Sequence, residues 1–277
     1  MTEFLRPRTV DELRQVAMRG RFLAGGTDLL VQMRAGRTEA CLIDVSNLTD
    51  TPPCTYQTDD HLELSGLAPI SRVVRQLAGR LPAIASAAAT FGSLQIRNRA
   101  TIGGNLSNAS PAADMVPPLV AADTVAVLQG PEGTRELPVC DLAEGPGRST
   151  LGPGEWISLL RVPKPKGKEG YRKLGGRADM AISIVCLAWR WNVQEDGVLT
   201  GVRVAVGAVA PTVKRCADVE GELEARRPGR LVVDSAVSAI RAAVSPIDDV
   251  RASAWYRREA LGGLLREALI LHAGAST

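Results

Sequence analysis

Two pairs of adjacent glycines, Gly25-Gly26 and Gly103-Gly104, constrain this chain more than any other feature. The first sits in Leu23-Ala24-Gly25-Gly26-Thr27-Asp28-Leu29. There a short apolar strand runs into the glycines and a helix starts at the threonine. Glycine reaches positive φ freely and lets another backbone come close. Free N–H groups at such a turn point at an anion, and the dipole of the next helix adds to the attraction. The second pair sits in Thr101-Ile102-Gly103-Gly104-Asn105. It reads as a tight turn over residues 100–104, with a nest of amides for a diphosphate and side-chain donors from Thr101 and Asn105. In a chain with 27 glycines either pair also reads as an ordinary turn. Two such loops, each flanked by hydroxyl or amide side chains, favour the phosphate reading.

Other nucleotide fingerprints are missing. No G-x-G-x-x-G follows a strand and no G-x-x-x-x-G-K-[ST] occurs, which argues against a Rossmann site and a P-loop. The two histidines, His61 and His272, are too few for a histidine metal centre or a Ser-His-Asp triad, and both read as structural or exposed. Cys41, Cys54, Cys140, Cys186 and Cys216 are scattered without a C-x-x-C pair. That spacing argues against a disulfide framework and an iron–sulfur cluster, and predicts buried structural thiols.

The chain has 277 residues, 45% hydrophobic, enough for two or three modest domains. A net charge of +3 with three Tyr and three Phe makes no nucleic-acid surface stand out. The longest apolar run, residues 181–189, is about half a membrane span. The start carries no apolar signal core, so a cytoplasmic protein is expected.

Periodicity predicts a βαβ-like start: helix 11–20, strand 21–24, helix 28–35 and strand 39–45. Strand 61–67 and helices 70–77 and 81–90 follow. Ser110-Pro111 signals a helix over 112–122, followed by strands 124–128 and 156–162. Asp114 then lies in a first helical turn, either as a favourable acid there or as an acceptor for ribityl or ribose hydroxyls. The breaker-rich 163–170 reads as a linker. Strands 180–191 and 198–209 join across Asp196-Gly197, and helices 232–243 and 255–271 end the chain.

AGGTDLL (24–30) and TIGGNLSNASPAAD (101–114) closely resemble the paired FAD motifs of molybdenum hydroxylase flavoprotein subunits. That family includes the medium subunit of aerobic carbon monoxide dehydrogenase and the FAD portion of xanthine dehydrogenase. The similarity continues through GEWISLLRVP (154–163), YRKLGGRADMAISIV (171–185) and DVRASAWYRREAL (249–261). The resemblance implies an α+β protein with a vanillyl-alcohol-oxidase (PCMH)-type FAD-binding fold. Two α/β subdomains, about 1–55 and 56–168, would precede a C-terminal antiparallel sheet-and-helix domain over 169–277.

Carried over by motif, Leu23, Ala24, Gly25, Gly26, Thr27, Asp28 and Leu29 would wrap the diphosphate, with Leu29 approaching the flavin ring. Thr101, Ile102, Gly103, Gly104, Asn105 and Asn108 would hold the other side, and Asp114 a cofactor hydroxyl. Phe91 and Gly92 match positions near the isoalloxazine, and Trp156 and Ile157 positions around the adenine. Without the resemblance, Phe91 and Trp156 read equally well as core. Lys173 or Arg172 would approach from the C-terminal segment, where Gly176 replaces an arginine common among relatives. Arg251, Arg257 and Arg258 read as a solvated helix face or as a surface toward a partner.

No substrate acid or base and no metal site is expected in this chain. The resemblance implies a large molybdenum–pterin partner and a small partner with two [2Fe–2S] clusters, in a dimer of heterotrimers. FAD would pass electrons to NAD, a quinone, oxygen or another carrier. The competing readings are a stand-alone FAD-dependent oxidase or reductase of the same superfamily, and a nucleotide-binding scaffold without flavin.

Overall fold

Sheet pairing follows the apolar pattern of the strands. The computed structural model describes residues 2–274; the side chain of His272 lies outside the described residues. Near the N-terminus, Glu3–Leu5, Cys41–Asp44 and Arg21–Leu23 form a parallel sheet with Cys41–Asp44 in the middle. The edge strand Glu3–Leu5 escapes sequence reading because it is three mostly exposed residues without alternation. The threonine hydroxyl of Thr9 caps helix Val10–Val16 by accepting from the Glu12 amide. That helix buries Leu13 against Ile43, and Phe22 meets Trp156 edge-on at 5.9 Å.

A five-stranded antiparallel sheet follows, ordered Thr55–Gln57, His61–Ser65, Trp156–Pro163, Val125–Gly130 and Gly133–Pro138. Its inner face packs on helices Ile70–Leu77 and Pro82–Ala89. A third sheet orders Lys168–Gly175, Ser183–Val193, Leu199–Gly207 and Lys214–Arg215, with helices Ala217–Leu223, Arg230–Ala242 and Ala254–Ala273 behind it. Both faces of this sheet are buried. On strand Ser183–Val193, Cys186 and Ala188 enter the core of the preceding domain, while Leu187, Trp189 and Trp191 enter the core made with the helices.

Several boundaries differ from the sequence reading. Residues 100–104 are not a turn: Thr101 caps a helix, Ile102–Ser107, that contains both glycines. The helix expected over 112–122 starts only at Val116, so Asp114 precedes it. Pro117 and Pro118 explain this, since a ring nitrogen has no hydrogen to give a preceding turn and fits the first turn instead. Of the linker 163–170, only 164–167 lies between strands, because Lys168 and Gly170 pair with Trp191 and Trp189. All five cysteines are free, but Cys140 is exposed and Cys54 half-buried, because neither lies on an inward-facing strand position.

Arg257 is buried rather than part of a solvated face. Its guanidinium donates to the carbonyls of Ile184 at 2.6 Å and Ala208 at 3.0 Å, and to Asp249 at 2.7 Å. Amides of Arg251 and Ala252 donate to the same carboxylate and, with Arg257, hold the Asp249 pKa down to about 2.

An ion pair within the third sheet also reaches the rest of the chain. Arg190 donates to Glu169 at 2.7 Å, with the two side chains 13% and 3% exposed. Arg190 also reaches the Pro163 carbonyl at 3.2 Å. Glu169 accepts the Ala83 amide at 3.2 Å, at the N-terminus of helix Pro82–Ala89.

Arg190→Met leaves that carboxylate buried without its cation and should cost about 3 kcal/mol, read from the urea midpoint. Adding Glu169→Gln to the same chain should recover part of the loss. Asp249 predicts acid sensitivity: its depressed pKa contributes stability that is full above the unfolded carboxylate pKa and is lost as pH falls toward about 2. Asp249→Asn should flatten that limb of a melting-temperature series between about pH 4 and 2.

Candidate functional site

A cavity of about 460 Å³ opens between the parallel sheet and the five-stranded sheet, within the range of small-molecule and cofactor sites. Both glycine segments line it. The approach of one to the other depends on missing side chains. A Cβ at Gly25 would stand 2.1 Å from the carbonyl oxygen of Arg99, two residues before Thr101. A Cβ at Gly103 would stand 2.7 Å from the Gly66 carbonyl oxygen. Gly26 has φ +72°, a conformation that L side chains rarely adopt.

The two segments offer different groups to a ligand. Among the described residues, the amides of residues 25–28 donate to no protein acceptor. Four successive free donors beside glycine form an anion cradle. The second segment is not a nest. Its amides are engaged: Ile102 with Ala68, Gly103 with Gly66 at 2.7 Å, Gly104 with the Thr101 hydroxyl at 3.1 Å and Asn105 with Thr101. The cause is the helix that replaces the expected turn, together with the close contact to Gly66. Gly103 and Gly104 therefore supply bare wall, and of the two segments only the first offers free backbone donors.

Leu23, Ala24, Gly25, Gly26, Thr27, Asp28 and Leu29 all stand on the wall. So do Phe91, Thr101, Gly103, Gly104, Asn105, Asn108, Trp156 and Ile157. Ile102 is fully buried in the core behind it. Gly92, Asp114, Lys173 and Arg172 are not on the wall. Asn105 accepts the Met115 amide at 3.4 Å, and Asn108 accepts from Gln32 at 3.4 Å, which ties the helix after the first loop to the second.

Sequence reasoning missed the rim over residues 149–155 and the contact residue Gly66. The signal was present in Gly152-Pro153-Gly154, a breaker run directly before Trp156. Glu155 shapes that rim. It takes paired bonds from Arg135 at 2.7 Å and the Gly152 amide at 2.7 Å. The Arg135 hydrogen bonds hold its carboxyl below the usual range.

Asp28 is the odd charge. It lines the cavity, its carboxylate makes no hydrogen bond among the described residues, and loss of solvent pushes its carboxyl pKa up. A cavity lined by free amides of one loop, by the bare glycines Gly103 and Gly104 and by the apolar Trp156 and Ile157 fits a dinucleotide such as FAD.

Gly25→Ala should cost stability and ligand retention together, because its methyl meets backbone that cannot rotate away. Gly104→Ala should keep the fold, since its Cβ would meet only the Thr101 hydroxyl. Melting curves and ligand stoichiometry of the two variants check this. For Asp28 the raised pKa means stability present below the unfolded value and lost as pH rises through the folded one. Asp28→Asn should therefore melt higher than the parent, with the gap widening as pH increases.

Comparison with known proteins identifies the family. The model of the FAD binding domain in molybdopterin dehydrogenase matches residues 1–165, and that of the CO dehydrogenase flavoprotein C-terminal domain matches residues 169–271. The chain is 32% identical over 191 residues to the glyceraldehyde dehydrogenase medium chain of Sulfolobus acidocaldarius, covering 68% of this chain and 67% of that one. It is 28% identical over 243 residues to the putative xanthine dehydrogenase FAD-binding subunit XdhB of Escherichia coli, covering 86% and 83%. A solved carbon monoxide dehydrogenase from Hydrogenophaga pseudoflava, lacking the Mo-pyranopterin moiety of its molybdenum cofactor, superposes with a TM-score of 0.92. That match covers 99% of this chain and 97% of the other, at 26% identity. The chain therefore belongs to the FAD-binding medium subunits of the molybdenum hydroxylase family, with the PCMH-type fold of that family.

Proposed function

We propose that the cavity holds one FAD and that the chain is the electron-transfer subunit of a multi-subunit molybdenum hydroxylase. The observation that carries this reading is the run of free amides over residues 25–28 beside two glycines. These amides hold the diphosphate, and Gly103 and Gly104 leave room for it on the lining. Trp156 and Ile157 pack the adenine, Leu29 and Phe91 border the ring, and Thr101, Asn105 and Asn108 line the space between. Asp114 and Lys173 stand behind Phe91 and act on the cofactor from the C-terminal side.

When bound, the flavin accepts two electrons and releases them singly or in pairs. The protein's own residues bind, orient and exclude water. Among the described residues, Asp28 and Glu155 are the carboxylates on the wall, and Arg135 holds Glu155. The relatives named above are medium chains and FAD-binding subunits, which favours a subunit over a stand-alone oxidase. Electrons then come from [2Fe–2S] clusters of a small partner, fed by a large molybdenum–pterin partner. They leave to an external acceptor such as NAD, a quinone or oxygen. The assembly is a cytoplasmic dimer of heterotrimers, and residues 1–168 and 169–277 are its two domains here. Among the described residues no helix is long and apolar enough to cross a membrane.

Purified chain should be yellow, with about one FAD per polypeptide, and should copurify with two further chains carrying molybdenum and iron. A colourless preparation that takes up no added FAD would sink the cofactor assignment. A lone polypeptide that turns over an organic substrate would sink the subunit role.

A further inference from the structure

Behind the Phe91 end of the cavity lies a buried polar cluster that joins the two domains. Lys173 Nζ stands 2.6 Å from Asp114 Oδ2, with the two side chains 8% and 9% exposed. The other Asp114 oxygen accepts from Ser183 Oγ at 2.5 Å and from the Tyr171 hydroxyl at 3.1 Å. Tyr171, Lys173 and Ser183 all come from the C-terminal sheet, and Asp114 from the preceding domain. Burial keeps the Tyr171 phenol neutral and pushes the neighbouring Cys186 thiol up to about 12. The cluster therefore contains one cation and one anion, surrounded by neutral donors.

Its position is tied to the wall. Lys173 also donates to the carbonyl of Thr90 at 3.4 Å, the residue that ends helix Pro82–Ala89 and directly precedes Phe91. Strand Lys168–Gly175 thus places an acid, Glu169, at the start of this helix and an ammonium at its end. Both charges suit the helix dipole. Stability alone does not explain a buried pair, because apolar side chains of equal volume often serve as well or better.

Resting on the FAD reading above, we infer that Ser183 and Tyr171 are positioning residues for Lys173. By holding Asp114 and dispersing its negative charge, they keep the ammonium at the Thr90–Phe91 corner as a fixed cation toward the flavin ring. Uptake of two electrons and one proton leaves one net negative charge on that ring. A preorganised cation in a water-poor site favours the reduced form. The C-terminal domain thereby raises the electron affinity of a cofactor that the other domain binds.

The test is potentiometry of the FAD-loaded full chain, with flavin stoichiometry and melting temperature measured alongside. Lys173→Met should lower the reduced-to-oxidised ratio at fixed potential about tenfold, which is about 30 mV for a two-electron couple. Lys173→Arg should restore most of it. Ser183→Ala and Tyr171→Phe should shift the potential in the same direction by less, since each returns negative charge to Asp114. Lys173→Met with full flavin content and an unchanged potential overturns the inference. If that variant does not fold, Ser183→Ala decides: it removes one oxygen, and an unmoved potential overturns the positioning role. A parent chain that takes up no flavin instead overturns the FAD reading, and this inference with it.

Discussion

The structure depends on a backbone contact made where side chains are absent. Gly25 lies against the Arg99 carbonyl, and Gly103 against Gly66, at distances where any Cβ would collide. Gly66 in turn lies against Ile157, with 2.0 Å between its Cβ position and that carbonyl oxygen. Loop, helix and central strand are thus stacked backbone on backbone. This stacking brings residues 25, 103 and 157, far apart in sequence, to one cavity wall. A single methyl in the stack would have to move main chain, because close-packed interiors have no slack to absorb it.

The C-terminal domain is more than an appendage to that wall. Its sheet alternates small or polar residues toward the first domain with Leu187, Trp189 and Trp191 toward its own helices. Two-sided burial ties the domains together, and Arg190, Glu169 and Lys173 give the contact its direction. Each reaches a carbonyl or an amide of the other domain, so the pairing satisfies polar groups that would otherwise be buried without partners. The FAD-binding domain and the C-terminal domain thus share one buried contact.

Much of the architecture was legible in the sequence. Hydrophobic alternation marked the strands of the C-terminal hairpin, Asp196-Gly197 marked their turn, and the first glycine loop lies where a strand gives way to a helix, as read. Where the reading failed, the cause was a competing local signal. Ser110-Pro111 looked like a helix start, but Pro117-Pro118 moved the start to Val116. Gly103-Gly104 looked like a turn because glycine is a poor helix residue. A tertiary contact with Gly66 outweighed that propensity. Arg257 looked like a surface cation, yet carbonyls from Ile184 and Ala208 draw it inside.

By itself, then, the sequence marked several of the longer strands, the two glycine pairs and the family that the chain resembles. These are properties of neighbours along the chain: period, capping residues and glycine pairs. Only the tertiary structure decided that the second glycine pair offers wall and not donors. Only it brought Asp114 to Lys173, Tyr171 and Ser183 across the domain boundary. Hydrogen-bond satisfaction is settled by whichever groups meet in space, and a one-dimensional pattern carries no record of those meetings.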